Sequence, residues 1–411
     1  MRTPSDVILL FCARTLRLFA YGLLSVVLML YLVELGFSDG EAGGMLTLTM
    51  LGDAGVSLWM TVHADRLGRR RMLVAGGVLM AFAGVMFVMT RNPVLLVIAA
   101  IVGVISPGGK DIGPFLAIEQ ASLAHVVPSA RRTGLFARYN LAGSFATAGG
   151  ALCGGWLAGM MRTSGIPAVD AYRWLVALYA GAGILLALIF TLLSPDVEVP
   201  PASHTGTGTV WFGLHRSRRV VSSLAALFAL DAFAGGFIVQ SIMAYWFHTQ
   251  FGANETTLGG IFFVGNILAG VSALLAARIA ARIGLINTMV ATHIPSNVLL
   301  CCVPFMPTLP LAIGVLMVRF MISQMDVPTR QSYVVSVVDP DERSAASGVT
   351  AIARSLGAAF SPALSGILLA VPGLAGAPFV VAGGLKIVYD LMLFRRFRGV
   401  GEAGNSNDDG S

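Results

Sequence analysis

Ionisable side chains that could bind a charged solute, carry a proton or pair with one another lie inside runs of apolar residues. They are Arg14, Arg17, Asp53, Lys110, Asp111, Glu119, Arg138, Asp231, Arg319, Asp326, Arg330, Arg354, Lys386 and Asp390. Each costs about 2.5–3.5 kcal/mol at the centre of a lipid-spanning helix, so each needs a partner or a task. Internal similarity orders some of them: a shift of 211 residues lays Glu119 on Arg330, and matching Phe19-Ala20-Tyr21-Gly22 with Phe233-Ala234-Gly235-Gly236 lays Arg17 on Asp231. Equivalent positions thus carry opposite signs, which predicts one charge cluster shared by both halves of the chain. Two readings stay open for it, a direct part in the protein's chemistry and mutual satisfaction of buried ions. Lys386 and Asp390 stand four residues apart, which predicts an i,i+4 pair facing neighbouring helices or reaching the membrane interface. Ser106-Pro107-Gly108-Gly109-Lys110-Asp111-Ile112-Gly113-Pro114 interrupts an apolar run. Two prolines remove backbone donors there, so the helix should break, either to free main-chain groups for a solute or only to adjust packing. Gln240, Asn266, Asn140, Tyr21 and Tyr245 are candidate hydrogen-bonding wall residues, and His125 and His293 read as packing or interface residues.

The elements that must position these groups are membrane-spanning helices. The chain has 411 residues, of which 56% are hydrophobic and 12% charged, and its mean hydropathy is +0.80. That is more apolar surface than a soluble domain can hide. Apolar runs bounded by charge, Pro or Gly predict twelve helices near 7–33, 42–64, 72–90, 94–126, 134–160, 172–193, 221–247, 257–281, 286–305, 311–337, 345–370 and 378–394. The polar stretch 195–220 divides them into bundles of six, 1–194 and 221–398, and residues 399–411 form a polar tail that reads as disordered. With the amino terminus in the cytoplasm, most loop arginines become cytoplasmic and only Arg91, Arg162 and Arg173 fall outside. Both termini should therefore be cytoplasmic. The repeat supports the division: the shift of 211 lays Gly150-Ala-Leu-Cys-Gly-Gly155 on Ser361-Pro-Ala-Leu-Ser-Gly366, and a shift of 216 lays Gly36, Gly44, Arg66 and Gly68 on Gly252, Gly260, Arg282 and Gly284. The predicted fold is an all-α polytopic membrane protein of two six-helix bundles related by pseudo-two-fold symmetry.

Thr61-Val-His-Ala-Asp65-Arg66-Leu-Gly68-Arg69-Arg70-Arg71 resembles the Gly-x-x-x-Asp-Arg-x-Gly-Arg-Arg signature of the major facilitator superfamily. The resemblance implies a conformational latch of Asp65, Arg66, Gly68, Arg69 and Arg132, in which Asp65 pairs with Arg132 or with the amino end of the helix beginning near Ala345. It also implies that helices 1, 4, 7 and 10 line a central cavity. Gly150 to Gly155 is similar to the family's Gly-Pro-x-x-Gly-Gly antiporter signature, with Ala151 in place of its proline and Pro362 keeping that proline in the second copy. Together with Pro107 and Pro114 of the interrupted run, Gly154, Gly155, Pro362 and Gly366 are the hinge and packing positions.

The function expected is secondary active transport of a small solute by alternating access, with proton-coupled efflux favoured over import or uniport. A non-transporting receptor of the same fold is the alternative. The substrate and coupling candidates are Arg17, Asp53, Lys110, Asp111, Glu119, Asp231, Asp326 and Arg330, and the excess of buried cations suggests an anionic or zwitterionic solute. An enzyme would need a nucleophile or metal constellation, and the sequence offers neither. Cys12, Cys153, Cys301 and Cys302 have no ligand spacing, and no phosphate-cradling loop suggests a nucleotide. The net charge of +6 resides in short loop clusters, which membrane topology explains without nucleic acid. The expected setting is a cell (inner) membrane, as a monomer among lipids, without cofactor or metal.

Overall fold

The computed structural model describes residues 3–110, 115–126, 129–198, 216–339 and 342–397. Fifteen α-helices occur among the described residues. In order they are α1 (Thr3–Glu34), α2 (Asp39–Leu67), α3 (Arg69–Met89), α4 (Pro93–Val102), α5 (Phe115–Val126), α6 (Ser129–Thr163), α7 (Ala168–Thr191) and α8 (Arg218–Gly236). They continue as α9 (Gln240–Phe251), α10 (Glu255–Ile283), α11 (Leu285–Cys302), α12 (Leu309–Ile322), α13 (Asp326–Ser336), α14 (Arg343–Ala370) and α15 (Ala377–Phe397). Ten described spans, one of them uniting α8 with α9 and another α12 with α13, are long and apolar enough to cross a membrane. Large apolar side chains such as Trp59, Trp156 and Trp174 face outward, as lipid contact requires. The protein is a multi-pass membrane protein.

Fifteen helices arise from twelve expected spans because the fourth, seventh and tenth are each interrupted. The break between α4 and α5 falls where the prolines and glycines at 106–114 predict it. Two others go beyond the sequence expectation. At 237–239 the chain leaves α8 just after Gly235-Gly236, a weak point for helix propagation. At 323–325 the cause lies downstream: Pro328 lacks an amide hydrogen and its ring crowds the carbonyl four residues earlier, within that gap.

Local signals set several helix ends. Ser38 and Glu41 form a reciprocal capping box at the start of α2, and Asn92 accepts from the amides of Val94 and Leu95 before α4. Gly68, between α2 and α3, adopts φ 101°, which a side chain would oppose.

The described residues pack as two compact units. The first comprises those within Met1–Thr205, Val239–Ile267 and Pro362–Ala370, and the second those within Gly206–Ile238, Leu268–Ser361 and Val371–Ser411. This division differs from a cut at the linker, because α9, the first part of α10 and the end of α14 pack with the first unit. In that unit α1 lies against α6, and a Cβ at Gly154 would fall 2.5 Å from the carbonyl oxygen of Leu23. The second unit has a core of Val221, Leu224, Phe228, Met289, Tyr333, Tyr389 and Phe397. Most of the linker and the whole tail lie outside the described residues.

Candidate functional site

In the first unit α1 carries Arg17 and α5 carries Glu119, both fully buried. Their contact is bidentate, Nη1 to Oε1 at 2.5 Å and Nη2 to Oε2 at 2.8 Å, the geometry that makes arginine the preferred partner of a carboxylate. Tyr139 on α6 donates to Glu119 Oε2 at 2.6 Å, and the ring of Phe115 lies 4.4 Å from the Arg17 guanidinium carbon. Arg14, one turn earlier on α1, donates to Asn140 at 3.2 Å and stacks over Tyr139.

In the second unit Asp231 on α8 collects three cations. Lys386 on α15 reaches its Oδ1 at 2.5 Å, and Arg354 on α14 and Arg330 on α13 reach its Oδ2 at 2.9 and 3.2 Å. Arg330 also bonds Asp326, four residues earlier on α13, at 2.7 Å. His293 on α11 stands between two carboxylates: its Nδ1 is 2.8 Å from Asp390 Oδ1 and its Nε2 is 4.0 Å from Asp231 Oδ1. Asn297, one turn on, donates to the other oxygen of Asp390 at 3.1 Å.

These contacts correct two expectations and add to a third. Of the four residues in the predicted cluster, Arg17 pairs with Glu119 in the first unit and Asp231 with Arg330 in the second. Sequence equivalence identifies these as the same pair with its polarity reversed. Lys386 and Asp390 do not bond each other; both are buried, Lys386 turning to Asp231 and Asp390 to His293 and Asn297. Helix spacing put them on one face but could not rank inward partners above each other. His293 is not a packing residue but a member of the charge network. Its partners are far away in sequence; the available signal was the polar stripe of His293, Ser296 and Asn297 in the middle of α11.

The interruption after α4 is held by side chains that accept the role of missing helix bonds. Pro107's carbonyl receives the Ser241 amide at 3.1 Å and its hydroxyl at 2.6 Å, and Gly109's carbonyl receives Thr147 at 3.2 Å. Val104's carbonyl receives the Tyr179 hydroxyl. Nearby, Gln240 donates to Ser25 at 2.8 Å and Asn266 donates to Gln240 at 3.3 Å, while Tyr245 donates to Asp39 at 2.5 Å. Lys110 is exposed at the end of this stretch and Asp53 is buried on α2; Asp111 and Pro114 lie outside the described residues.

Asp65, 58% exposed, bonds Arg69 one turn on at 2.8 Å. Arg66 is exposed, and the side chain of Arg132 lies outside the described residues. An acidic residue that sequence reading missed braces this loop: Glu198, just beyond α7, accepts the amides of Arg69 and Arg70 at 2.7 and 3.1 Å. It satisfies the otherwise unpaired donors at the start of α3, where a helix terminus favours an anion. Glu342 does the same before α8, accepting the amides of Arg216 and Ser217, each at 2.8 Å.

Four glycines make two matching close approaches in the first unit. A Cβ at Gly155 would lie 2.3 Å from the Glu255 carbonyl oxygen and 2.6 Å from Gly259 Cα; one at Gly366 would lie 2.3 Å from the Asp39 carbonyl oxygen and 3.0 Å from Gly43 Cα. The shift of 211 lays Gly155 on Gly366, and the shift of 216 lays Gly43 on Gly259 and Asp39 on Glu255. The two seams are therefore copies. Pro362 sits in the second, its carbonyl 2.5 Å from the position of a Gly43 Cβ.

Among the described residues no group of His, Cys, Asp and Glu could hold a metal ion. Known proteins share this frame. A mutant form of the nucleoside transporter NupG superposes with TM-score 0.76 at 14% identity over 95% of this chain and 99% of its own. A D-xylose-proton symporter superposes with TM-score 0.72 at 15% identity over 95% and 97%. An uncharacterized membrane protein of Saccharomyces cerevisiae, YJR124C, is 30% identical over 96% of this chain and 94% of its own. A Na(+), Li(+), K(+)/H(+) antiporter of Planococcus maritimus is 27% identical over 43% and 40%. The Major Facilitator Superfamily model matches residues 10–362. With a family match across most of its length and the fold of solved transporters, the chain belongs to the Major Facilitator Superfamily and is a non-enzymatic membrane transporter.

Proposed function

We propose that this transporter works by alternating access as a proton-driven exporter of a small polar solute. In this reading residues 1–194 and 221–398 are two six-helix bundles joined by a cytoplasmic linker at 195–220. They act as a monomer in a cell (inner) membrane, with both termini in the cytoplasm. The observation that carries the reading is the duplicated glycine seam. Helix backbones meeting at Gly155–Gly259 and Gly43–Gly366 touch without interlocking side chains, so a small tilt parts them and the reverse tilt seals them. Gly154, Gly155, Pro362 and Gly366 are then gate positions, and the Asp65–Arg71 loop, with Arg66, Gly68, Arg69 and Arg132, is the latch at the arginine-rich end. Glu198 braces that latch.

Pairing inside each half lets the gate move without stranding a buried ion. Because Arg17, Arg330, Arg354 and Lys386 are committed to carboxylates, the solute meets neutral groups first: Ser25, Thr147, Gln240, Ser241, Asn266 and the carbonyls beside Pro107 and Lys110. Hydroxyls that satisfy those carbonyls can be exchanged for hydroxyls or amides of a solute. The antiporter-like glycines at 150–155 and the cation/proton antiporter relative favour export.

Proteoliposome flux under an imposed pH gradient tests this with nucleosides, pentoses and monovalent cations as the panel. Gradient-dependent movement of at least one, lost in Gly155→Leu, is expected. No flux of any solute in either direction would support the non-transporting receptor instead, and uptake driven only down the solute's own gradient would support a uniporter.

A further inference from the structure

We propose that the groove between the start of α8 and the end of α15 is a binding site for one anionic phospholipid, with Arg396 on the phosphate and an acyl chain along Ala226, Leu230 and Met392. The site lies apart from the gate and the latch proposed above.

Contacts run in opposite order along the two helices, Ser223 with Arg396, Phe228 with Tyr389 and Asp231 with Lys386, so the pair is antiparallel. Its inner face is closed by Val221, Leu224, Phe228, Tyr389, Leu393 and Phe397, which share one core. The outer face is not closed in this way. There α8 presents the exposed Ala226, a single methyl, between Ser223 and Leu230, while α15 presents Met392. The small residue leaves a groove of about 350 Å³, within the range of about 300–1,000 Å³ that ligand sites occupy. From Ser222 to Leu230 it follows α8 for roughly 12 Å.

One end of the groove is polar and the rest is hydrocarbon. Ser222, Ser223 and Arg396 line the end at the helix termini, and Ala226, Leu230 and Met392 continue it inward. Both serine hydroxyls donate to the Arg219 carbonyl, at 3.1 and 2.8 Å, which leaves Ser223 as an acceptor that holds Arg396 Nη2 at 2.8 Å. That is the one hydrogen bond of Arg396 among the described residues. A guanidinium has five donors in a plane, so the fork keeps donors for two phosphate oxygens. Arg219, one turn before Ser222, and Arg395 are exposed and, like Arg396, have no carboxylate partner among the described residues. Glu342 is buried and turned to the amides of Arg216 and Ser217. This end of the helix pair therefore sets uncompensated positive charge above an apolar slot on the outer surface of a membrane protein. Topology alone accounts for the arginines but not for the slot. A soluble anion would satisfy Arg396 and leave the slot unfilled, whereas a phospholipid matches both parts.

The test uses the full-length protein purified in detergent, with phosphatidylglycerol and phosphatidylcholine of the same acyl chains added in equal amounts and bound lipid read by native mass spectrometry. The first lipid retained should be phosphatidylglycerol, favoured about tenfold, and Arg396→Gln should cut that preference to about twofold. Arg396→Lys, which keeps the charge and loses the fork, should fall between. Ala226→Phe fills the slot with every arginine in place and should weaken phosphatidylglycerol binding about fivefold. Arg282→Gln removes an exposed arginine at the end of α10, outside the groove, and should leave the preference unchanged. Equal retention of the two lipids overturns the proposal. A preference that Arg282→Gln lowers as much as Arg396→Gln also overturns it, because the attraction would then be diffuse. So does full displacement of the lipid by excess inorganic phosphate, which would show that the slot contributes nothing.

Discussion

The two halves solve one problem, a buried ion pair at equivalent positions, in different ways. In the first, Arg17 and Glu119 form a closed bidentate pair, both fully buried, with Tyr139 and Phe115 completing the shell. In the second, the polarity is reversed and the pair is opened into a network, with Asp231 shared among Arg330, Arg354 and Lys386 and approached by His293. A detail of the repeat shows how. The position of Arg354 corresponds, at a shift of 211, to Gly143, where a Cβ would lie 2.8 Å from Arg14 Nε. One half thus leaves room for a neighbouring helix's side chain where the other adds a cation of its own. A bidentate pair behaves as a staple, whereas an anion shared among several cations can redistribute its contacts when one of them is lost.

Removing the shared anion should disturb the second half most. Asp231→Asn should leave Lys386, Arg354 and Arg330 facing one another, and the loss of folded protein on size-exclusion in detergent should exceed that of any other single change. Next, Arg17→Gln or Glu119→Gln should each cost about 3–5 kcal/mol by stranding a buried charge, while the double variant recovers most of it. Thermal denaturation checks this, and the swapped pair Arg17→Glu with Glu119→Arg should fold, because the other half already uses that polarity. Arg354→Gln should cost only about 1–2 kcal/mol, since Asp231 keeps two cations. A loss equal to that of Arg17→Gln would erase the contrast. Smallest of all, Arg69→Gln should change stability by about 0.3–0.5 kcal/mol if it acts only through its exposed i,i+4 partner Asp65.

Much of this frame was legible in the residues. Apolar runs, the arginine-rich loops and three internal matches, at shifts of 211, 214 and 216, gave the spans, the repeat and the sign reversal between Arg17 and Asp231. The interruption near Pro107 followed from Pro and Gly alone. Contact was harder to read than equivalence, because a repeat shows which residues correspond and not which touch. Hence Glu119 was matched to Arg330 when its partner is Arg17 on a helix of its own half. His293 stayed hidden because its partners are 62 and 97 residues away and only folding brings them together. Glu198 and Glu342 carry no such signal, because in sequence a carboxylate just outside a span is indistinguishable from a solvated one, and only the fold gives it amides to accept.

At the glycine seam the main chain itself is the bearing surface. Any side chain there must push the two backbones apart by its own volume. On the alternating-access reading proposed above, a graded Ala, Val, Leu series at residue 155, repeated at its copy 366, is therefore a ruler. It would measure how much separation each copy tolerates before flux is lost, and whether the two tolerate equal amounts.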